Sequence, residues 1–262
     1  MIHSGPTIQA IYRYPVKGLS PEGQAQTVLS TGEILPGDRS YAIENGPSGF
    51  DSAAPAHLPK SRFLMLMQSD RLGALQTRFD ETTHVLTVYV EGSKAVSGGL
   101  RTAEGRAAIE NFIAGHCGDE LRGQPKLLHA RGHSFSDTAD KVVSFINVAS
   151  VAALEQALGA KVNPLRFRGN IHVAGWPAWL EFDLVGREIA IGDSARVKIT
   201  RRITRCAATE VDPDSGVRNL DIPKTLMRAY GNIDFGVYGT VIEGGEITVG
   251  DSIKARAMSS QL

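Results

Sequence analysis

The sequence predicts an α+β fold that is mostly β, with a barrel-like core. Short segments in which apolar and polar residues alternate, as they do in half-buried strands, recur along the whole chain. Few segments have helical periodicity, and strands and helices do not alternate regularly. A doubly wound parallel sheet is therefore excluded, because each of its strands would be followed by a helix.

The first hundred residues are expected to be strands and turns. Residues 8–14 alternate apolar and polar side chains and end at Pro15, and residues 85–90 have the strongest strand pattern of this half. Residues 45–60 are rich in Gly, Ser, Ala and Pro, which is typical of a loop. Further short strands are expected at residues 26–29 and 40–43.

Two helices and a second set of strands are expected after that. Residues 102–114 and 147–158 carry apolar residues at helical spacing, and Gly159 ends the second helix. We place a boundary between a β-rich domain at residues 1–100 and a second domain at residues 101–262. The expected later strands are residues 127–130, 167–173, 188–191, 195–203 and 246–253.

Composition limits the possible functions. The 28 basic and 28 acidic residues cancel, which argues against a nucleic-acid-binding protein but allows a local basic pocket. No apolar stretch is long enough to cross a membrane, and the N-terminus lacks a signal-peptide pattern. We expect a cytoplasmic protein without membrane contact, whose two cysteines suit free thiols.

The most unusual segment is residues 200–216, TRRITRCAATEVDPDSG. Arginines near a cysteine favour the thiolate, which is a nucleophile and a ligand for soft metals. On a strand, Arg202 would share a face with Cys206, whereas Arg205 would point to the opposite face. The alternative interpretation is a buried structural cysteine beside a solvated basic strand.

A second segment, RFRGN at residues 166–170, carries two arginines. If this segment is a strand, then Arg166, Arg168 and Asn170 share one face. Two guanidinium groups on one face suit a phosphate, because each offers a planar fork of donors. The alternative is a pair of surface arginines on a half-exposed strand.

These two segments, together with YPVKG at residues 14–18, resemble the MOSC family, which is named after the C-terminal domain of molybdenum cofactor sulfurase. The resemblance runs from about residue 8 to residue 253. It implies a MOSC core at residues 101–262 preceded by the family's β-rich N-terminal domain at residues 1–100. The amidoxime-reducing members are the functional relatives that it indicates.

The resemblance implies a molybdenum cofactor, in which a phosphorylated pterin (molybdopterin) holds molybdenum through its dithiolene. Cys206 would then be the protein's metal ligand and catalytic residue. Strand alternation would also place Arg166 beside Arg168, and Arg202 beside Cys206. The residues that would bind the cofactor or shape its pocket are Lys17, Arg39, Arg166, Arg168, Asn170, Arg202, Thr209 and Asp212.

The function implied is reduction of small N-hydroxylated or N-oxide substrates. The alternative is a non-catalytic carrier of the cofactor or of sulfur. Two departures from the family stand out: Gly18 replaces a hydroxyl residue that some relatives carry, and the four-cysteine ferredoxin-like domain of some bacterial relatives is absent. Electrons are therefore expected from a separate protein.

Overall fold

The computed structural model describes residues 5–255, in which strands predominate over helices. This confirms the α+β, mostly β class. The helices are α1 (Ala103–Cys117), α2 (Val148–Leu158), α3 (Leu180–Asp183) and α4 (Ile222–Tyr230). The strands are β1 (Thr7–Arg13), β2 (Glu22–Gln24), β3 (Gln26–Leu29), β4 (Tyr41–Glu44), β5 (Leu75–Asp80), β6 (Val85–Val90), β7 (Ser93–Gly99), β8 (Lys126–His129), β9 (Val143–Asn147), β10 (Ile171–Ala174), β11 (Glu188–Ile191), β12 (Ala195–Thr204), β13 (Asp234–Glu243), β14 (Gly245–Thr248) and β15 (Ile253–Ala255).

The largest sheet has eight strands in the order β15-β11-β12-β13-β9-β10-β1-β2. Its neighbours are antiparallel except β9 and β10, which run parallel and are joined through α2. Backbone bonds also link β1 to the segment entering β15: Ile8 N donates to Asp251 O at 2.9 Å, and Ile253 N to Pro6 O at 2.8 Å. The sheet therefore curls back on itself.

A second unit packs α1 against the antiparallel sheet β5-β6-β7. Thr102 begins α1, since its hydroxyl accepts a bond from Gly105 N at 3.0 Å. Glycine allows the helix to approach the sheet closely, because a Cβ at Gly98 would lie 2.1 Å from Gly105 O. Two smaller sheets pair β3 with β14 and β4 with β8.

Three of the four hydrophobic clusters within residues 5–255 stabilise these layers. One fills the curled eight-stranded sheet, a second lies between α1 and the three-stranded sheet, and a third joins α2 and α4. Cys117 is 0% exposed in the second cluster. Strands β1 and β2 lie in a sheet formed otherwise by the second half of the chain. The domain boundary at residue 100 stays a prediction.

Two predicted strands are wrong. Residues 164–167 form a 3-10 helix, and β10 begins only at Ile171. Pro164 suits the first position of a helical turn, and the side chain of Asn163 caps it by accepting from Leu165 N at 3.0 Å. Residues 246–253 are likewise not one strand: a turn at Gly250, with φ +100°, separates β14 from β15.

Residues 45–59 contain no helix or strand, in agreement with the predicted loop. Within residues 5–255, none of the helices combines the length and the apolar character needed to span a bilayer.

Candidate functional site

A cavity of about 620 Å³ collects side chains from segments that are far apart in the sequence. Most of the site residues predicted from the sequence line it, and Asp212 does not. The predicted residues in its wall are Lys17, Arg39, Arg166, Arg168, Asn170, Arg202, Cys206 and Thr209.

Lys17 points into the cavity from a tight turn after β1. Its backbone N donates to Tyr41 O at 2.8 Å, and the next residue, Gly18, has φ +85°. A Cβ at Gly18 would lie 3.0 Å from Leu64 O, which explains glycine at this position. The Lys17 side chain is 4% exposed, donates to Phe135 O at 2.8 Å and forms an ion pair with Asp137.

Arg39 and Arg168 lie against the buried ring of Tyr14. Their guanidinium carbons are 4.9 Å and 4.3 Å from the ring centroid, which is cation–π geometry. Arg39 forms an ion pair with Asp38 and donates to Arg168 O at 3.1 Å, while Arg168 donates to Leu19 O at 2.8 Å. Burial raises the pKa of Tyr14 to about 12, so the ring stays neutral.

Three guanidinium nitrogens of cavity-wall arginines are buried without a hydrogen-bond partner among the described residues: Nε of Arg166, Nη2 of Arg168 and Nη2 of Arg205. Arg205 is otherwise bound to Phe235 O and Phe167 O, both at 2.8 Å. Burial lowers the pKa of Arg168 and of Arg205 to about 10, so these two arginines stay charged at neutral pH. Unpartnered buried donors that carry charge are the groups that an anionic ligand satisfies.

Cys206 follows the end of β12 and begins a 3-10 turn, Ala207–Glu210. The turn is closed by Thr209, whose N and Oγ1 donate to Cys206 O at 3.1 Å and 3.0 Å. The half-buried Cys206 is a free thiol in the cavity wall. Cys117 is also a free thiol, but it is buried outside the cavity.

The side chain that reaches the sulfur is not the one expected. Lys60 Nζ lies 3.4 Å from Cys206 Sγ, whereas the Arg202 guanidinium lies over the ring of Phe182, 4.2 Å from its centroid. The prediction that Arg202 is the direct neighbour of Cys206 is wrong. Strand alternation does not extend to Cys206, because β12 ends at Thr204.

Arg166 does not share a face with Arg168, which corrects the second strand argument. Its Nη2 donates to Asp212 Oδ2 at 2.7 Å and to Asn219 Oδ1 at 2.6 Å, and its Nη1 donates to Glu210 O at 2.8 Å. Arg166 and Asp212 therefore hold the chain that follows Cys206. The 3-10 helix before Arg168 and the positive φ of Arg168 itself, +50°, separate the two arginines.

Asn170 lies in the cavity wall, but its amide is engaged within the protein. Its Oδ1 accepts from Ser144 Oγ at 2.7 Å and from Ser144 N at 3.1 Å, and its Nδ2 donates to Tyr12 O at 3.2 Å. These bonds join β9, β10 and β1 below the cavity. The Thr209 side chain is likewise engaged within the protein, because its hydroxyl donates to Cys206 O and stabilises the turn after Cys206.

Two further residues of the site, Lys60 and Asp137, were not expected from the sequence. Asp137 pairs with Lys17 and lies 3.8 Å from Lys60 Nζ. Burial alone would raise the pKa of Asp137, but Lys17, Lys60 and Arg39 hold it well below its usual value. Burial alone would lower the pKa of Lys60, but Asp137 and Cys206 raise it. Both residues lie in loops without a motif, so no local signal marks them.

The family models match this chain over nearly its whole described length. The MOSC domain matches residues 120–254, and the MOSC N-terminal beta barrel domain matches residues 5–122. The chain belongs to the MOSC family.

Curated relatives are mitochondrial proteins of mammals. Human mitochondrial amidoxime-reducing component 1 is 31% identical over 132 residues, which cover 46% of this chain and 38% of that protein. Rat mitochondrial amidoxime reducing component 2 is 32% identical over 123 residues, covering 42% and 36%. The matches thus span less than two fifths of the relatives' length. The crystal structure of the YuaD protein from Bacillus subtilis aligns over 97% of both chains, with 12% identity and a TM-score of 0.46.

Proposed function

We propose that this protein binds a molybdenum cofactor through the cavity and uses it to reduce small N-hydroxylated or N-oxide molecules. The observation that carries the proposal is the pairing of one accessible thiol, Cys206, with three buried, unpartnered guanidinium donors in the same cavity wall. A soft metal ligand and an anion-binding site are what a metal held by a phosphorylated pterin requires. The names of the curated relatives support the substrate class.

The anionic end of the cofactor would be held by cations that are already in place. Lys17, Arg39, Arg168 and Arg205 are fixed by backbone carbonyls or by carboxylates, so little ordering is needed on binding. The donors on Arg168 and Arg205 that lack partners would gain them. Binding a phosphate here therefore satisfies groups that the protein leaves unsatisfied.

Cys206 would be the protein's ligand to the metal. When bound, the cofactor would supply the two-electron redox chemistry that removal of oxygen from nitrogen requires. The protein orients the sulfur through the turn that Thr209 closes and that Arg166 and Asp212 stabilise. Phe235 and Phe167 stack with their ring centroids 3.8 Å apart, and their backbone carbonyls accept hydrogen bonds from Arg205. These bonds fix the position of the Arg205 guanidinium group.

The overall reaction consumes two electrons and two protons, and it releases water and the deoxygenated substrate. We propose that a separate electron-transfer protein supplies the electrons. Within residues 5–255 no cluster of three or more His, Cys, Asp or Glu side chains is arranged to hold a second metal.

A carrier function is the alternative, favoured by the half-buried thiol at a cavity wall, which could hold sulfur as a persulfide. Expression in a host that makes the cofactor separates the two. The proposal predicts stoichiometric molybdenum and pterin in the purified protein, and reduction of benzamidoxime with dithionite-reduced viologen as the donor. The Cys206→Ser variant is the control. Bound cofactor without reduction would support a cofactor carrier, and persulfide sulfur on Cys206 in mass spectrometry would support a sulfur carrier. Absence of metal, pterin and persulfide would refute both functions.

A further inference from the structure

Lys60 is held in a defined place at the end of the long loop formed by residues 45–59. Pro59 and Lys60 begin a short 3-10 turn, in which Arg62 N donates to Pro59 O at 3.0 Å. The turn is tied to the end of β4, because Asn45 N donates to Arg62 O at 3.1 Å. The direction from which Lys60 enters the cavity is therefore fixed by backbone bonds.

The ammonium group of Lys60 lies between a carboxylate and the thiol. Its Nζ is 3.4 Å from Cys206 Sγ and 3.8 Å from Asp137 Oδ2, and the side chain is about one-third exposed. Among the residues that the structure describes, Lys60 is the side chain whose hydrogen bond reaches this sulfur. The contact joins residues 146 positions apart, in the halves matched by the two family models.

We propose that Lys60 is a positioning residue for Cys206, an inference that rests on the proposed function. Its ammonium group donates to the sulfur and so selects the sulfur's orientation towards the cavity. It also places a permanent positive charge beside the centre that accepts electrons. A fixed positive charge favours the state that carries more electrons, so Lys60 raises the reduction potential of the bound metal.

The effect on the sulfur can be measured without the cofactor. Iodoacetate and iodoacetamide both lose iodide to the same thiolate, but only iodoacetate carries a negative charge. The ratio of their alkylation rates at Cys206 therefore reports the local potential and cancels the thiolate fraction. Peptide mass mapping separates Cys206 from the buried Cys117.

Lys60→Met should lower the iodoacetate to iodoacetamide ratio roughly fivefold, as expected when one charge is removed about 5 Å from a partly solvated anion. Lys60→Arg should retain most of the ratio. The matched control is Lys141→Met, because Lys141 is also partly exposed and pairs with Glu33 at 2.7 Å beside the cavity. An unchanged ratio in Lys60→Met, or an equal fall in Lys141→Met, would overturn the proposal.

The effect on the centre is tested in the cofactor-loaded protein by a redox titration followed through the Mo(V) paramagnetic signal. Lys60→Met should have a lower reduction potential than wild type, and Lys60→Arg should restore it. An unchanged potential would overturn the claim that the charge acts on the centre. If the wild-type protein holds no molybdenum, the proposed function fails, while the alkylation ratio still decides whether Lys60 acts on the sulfur.

Discussion

Replacing Asp137 with asparagine should strengthen anion binding to the cofactor-free cavity. The Asp137 carboxylate is paired with Lys17, lies 3.8 Å from Lys60 Nζ and also interacts with Arg39. It thus occupies cations that an incoming phosphate needs. Asparagine has nearly the same shape and removes the charge.

The size of the effect follows from two contributions. A phosphate bound at Lys17 would lie roughly 5 Å from the carboxylate, and at an effective dielectric constant of about 60 the repulsion is ~1 kcal/mol. The wild-type protein must also give up the pair between the buried Lys17 and the half-exposed Asp137, which is worth about 0.5–1 kcal/mol after screening by solvent. The sum corresponds to roughly 10- to 30-fold tighter binding.

Calorimetric titration with inorganic pyrophosphate measures this difference directly. Glu243→Gln is the matched control, because Glu243 is about as exposed as Asp137 and pairs at 3.0 Å with Arg196, which is not part of the cavity wall. It should bind the anion as wild type does. Equal or weaker binding by Asp137→Asn, or the same gain in Glu243→Gln, would refute the reasoning.

Stability should change in the opposite direction. The folded protein holds the pKa of Asp137 below its usual value, so the carboxylate stabilises the fold at neutral pH. That contribution is complete above the unfolded pKa, near pH 4, and is lost as the pH falls through the lower folded value. Asp137→Asn should therefore be about 1 kcal/mol less stable than wild type at pH 7, and the difference should shrink in acid.

Three further substitutions and one control test the site and its support. Cys206→Ser should fold normally but lose molybdenum and reductase activity, as measured by metal analysis and the viologen assay, since a hydroxyl is a poor soft-metal ligand. Cys117→Ala should keep its molybdenum, because burial raises the pKa of this thiol to about 11 and leaves it inert. The same variant should lose roughly 0.5–3 kcal/mol of unfolding free energy in a urea titration, because a buried side chain is truncated. Gly18→Ser should cost roughly 1–3 kcal/mol by the same titration, since it combines φ +85° with an approach of 3.0 Å to Leu64 O. Gly32→Ser, at φ +70° with open space around it, should cost less.

Three helix ends could be predicted because their signals are local, whereas α1 continues to Cys117, beyond the predicted residue 114, and α3 and α4 were not expected. Thr102 and Asn147 each cap a helix by accepting a backbone bond, and Gly159 ends α2 in the left-handed conformation. These interactions involve residues two to four positions apart. Strands with one buried face, such as β11 and β12, could be predicted for the same reason. Apolar and polar side chains alternate between neighbouring residues, so the pattern is visible in a short stretch of sequence.

Strands buried on both faces could not be recognised by alternation. All five residues of β9 are buried, so this strand has no period of two for the sequence to show. Strand β13 is largely buried over its first eight residues and contains Gly236 with φ +72°, which also obscures the pattern. At residues 164–168, the turn chemistry of Asn163 and Pro164 prevailed over an apparent alternation.

The site depended on contacts that no local pattern encodes. The pair of Lys17 and Asp137 spans 120 positions, and the contact of Lys60 with Cys206 spans 146. Lys17, Arg39 and Arg168 could be named from the family resemblance because they lie in or beside recognisable motifs. Asp137 and Lys60 could not, since their importance arises only where the fold places them.

A chain with no net charge can still contain a strongly cationic cavity, because net charge averages over positions that the fold separates. Burying guanidinium groups is costly, and here backbone carbonyls and the face of Tyr14 offset most of that cost. Carbonyls accept single N–H bonds without neutralising the charge. The Nη2 atoms of Arg168 and Arg205 therefore remain hydrogen-bond donors without an acceptor, and the fold holds them in place before any ligand binds. A neutral ligand could satisfy the hydrogen bonds but not the charge, so the arrangement selects for an anion.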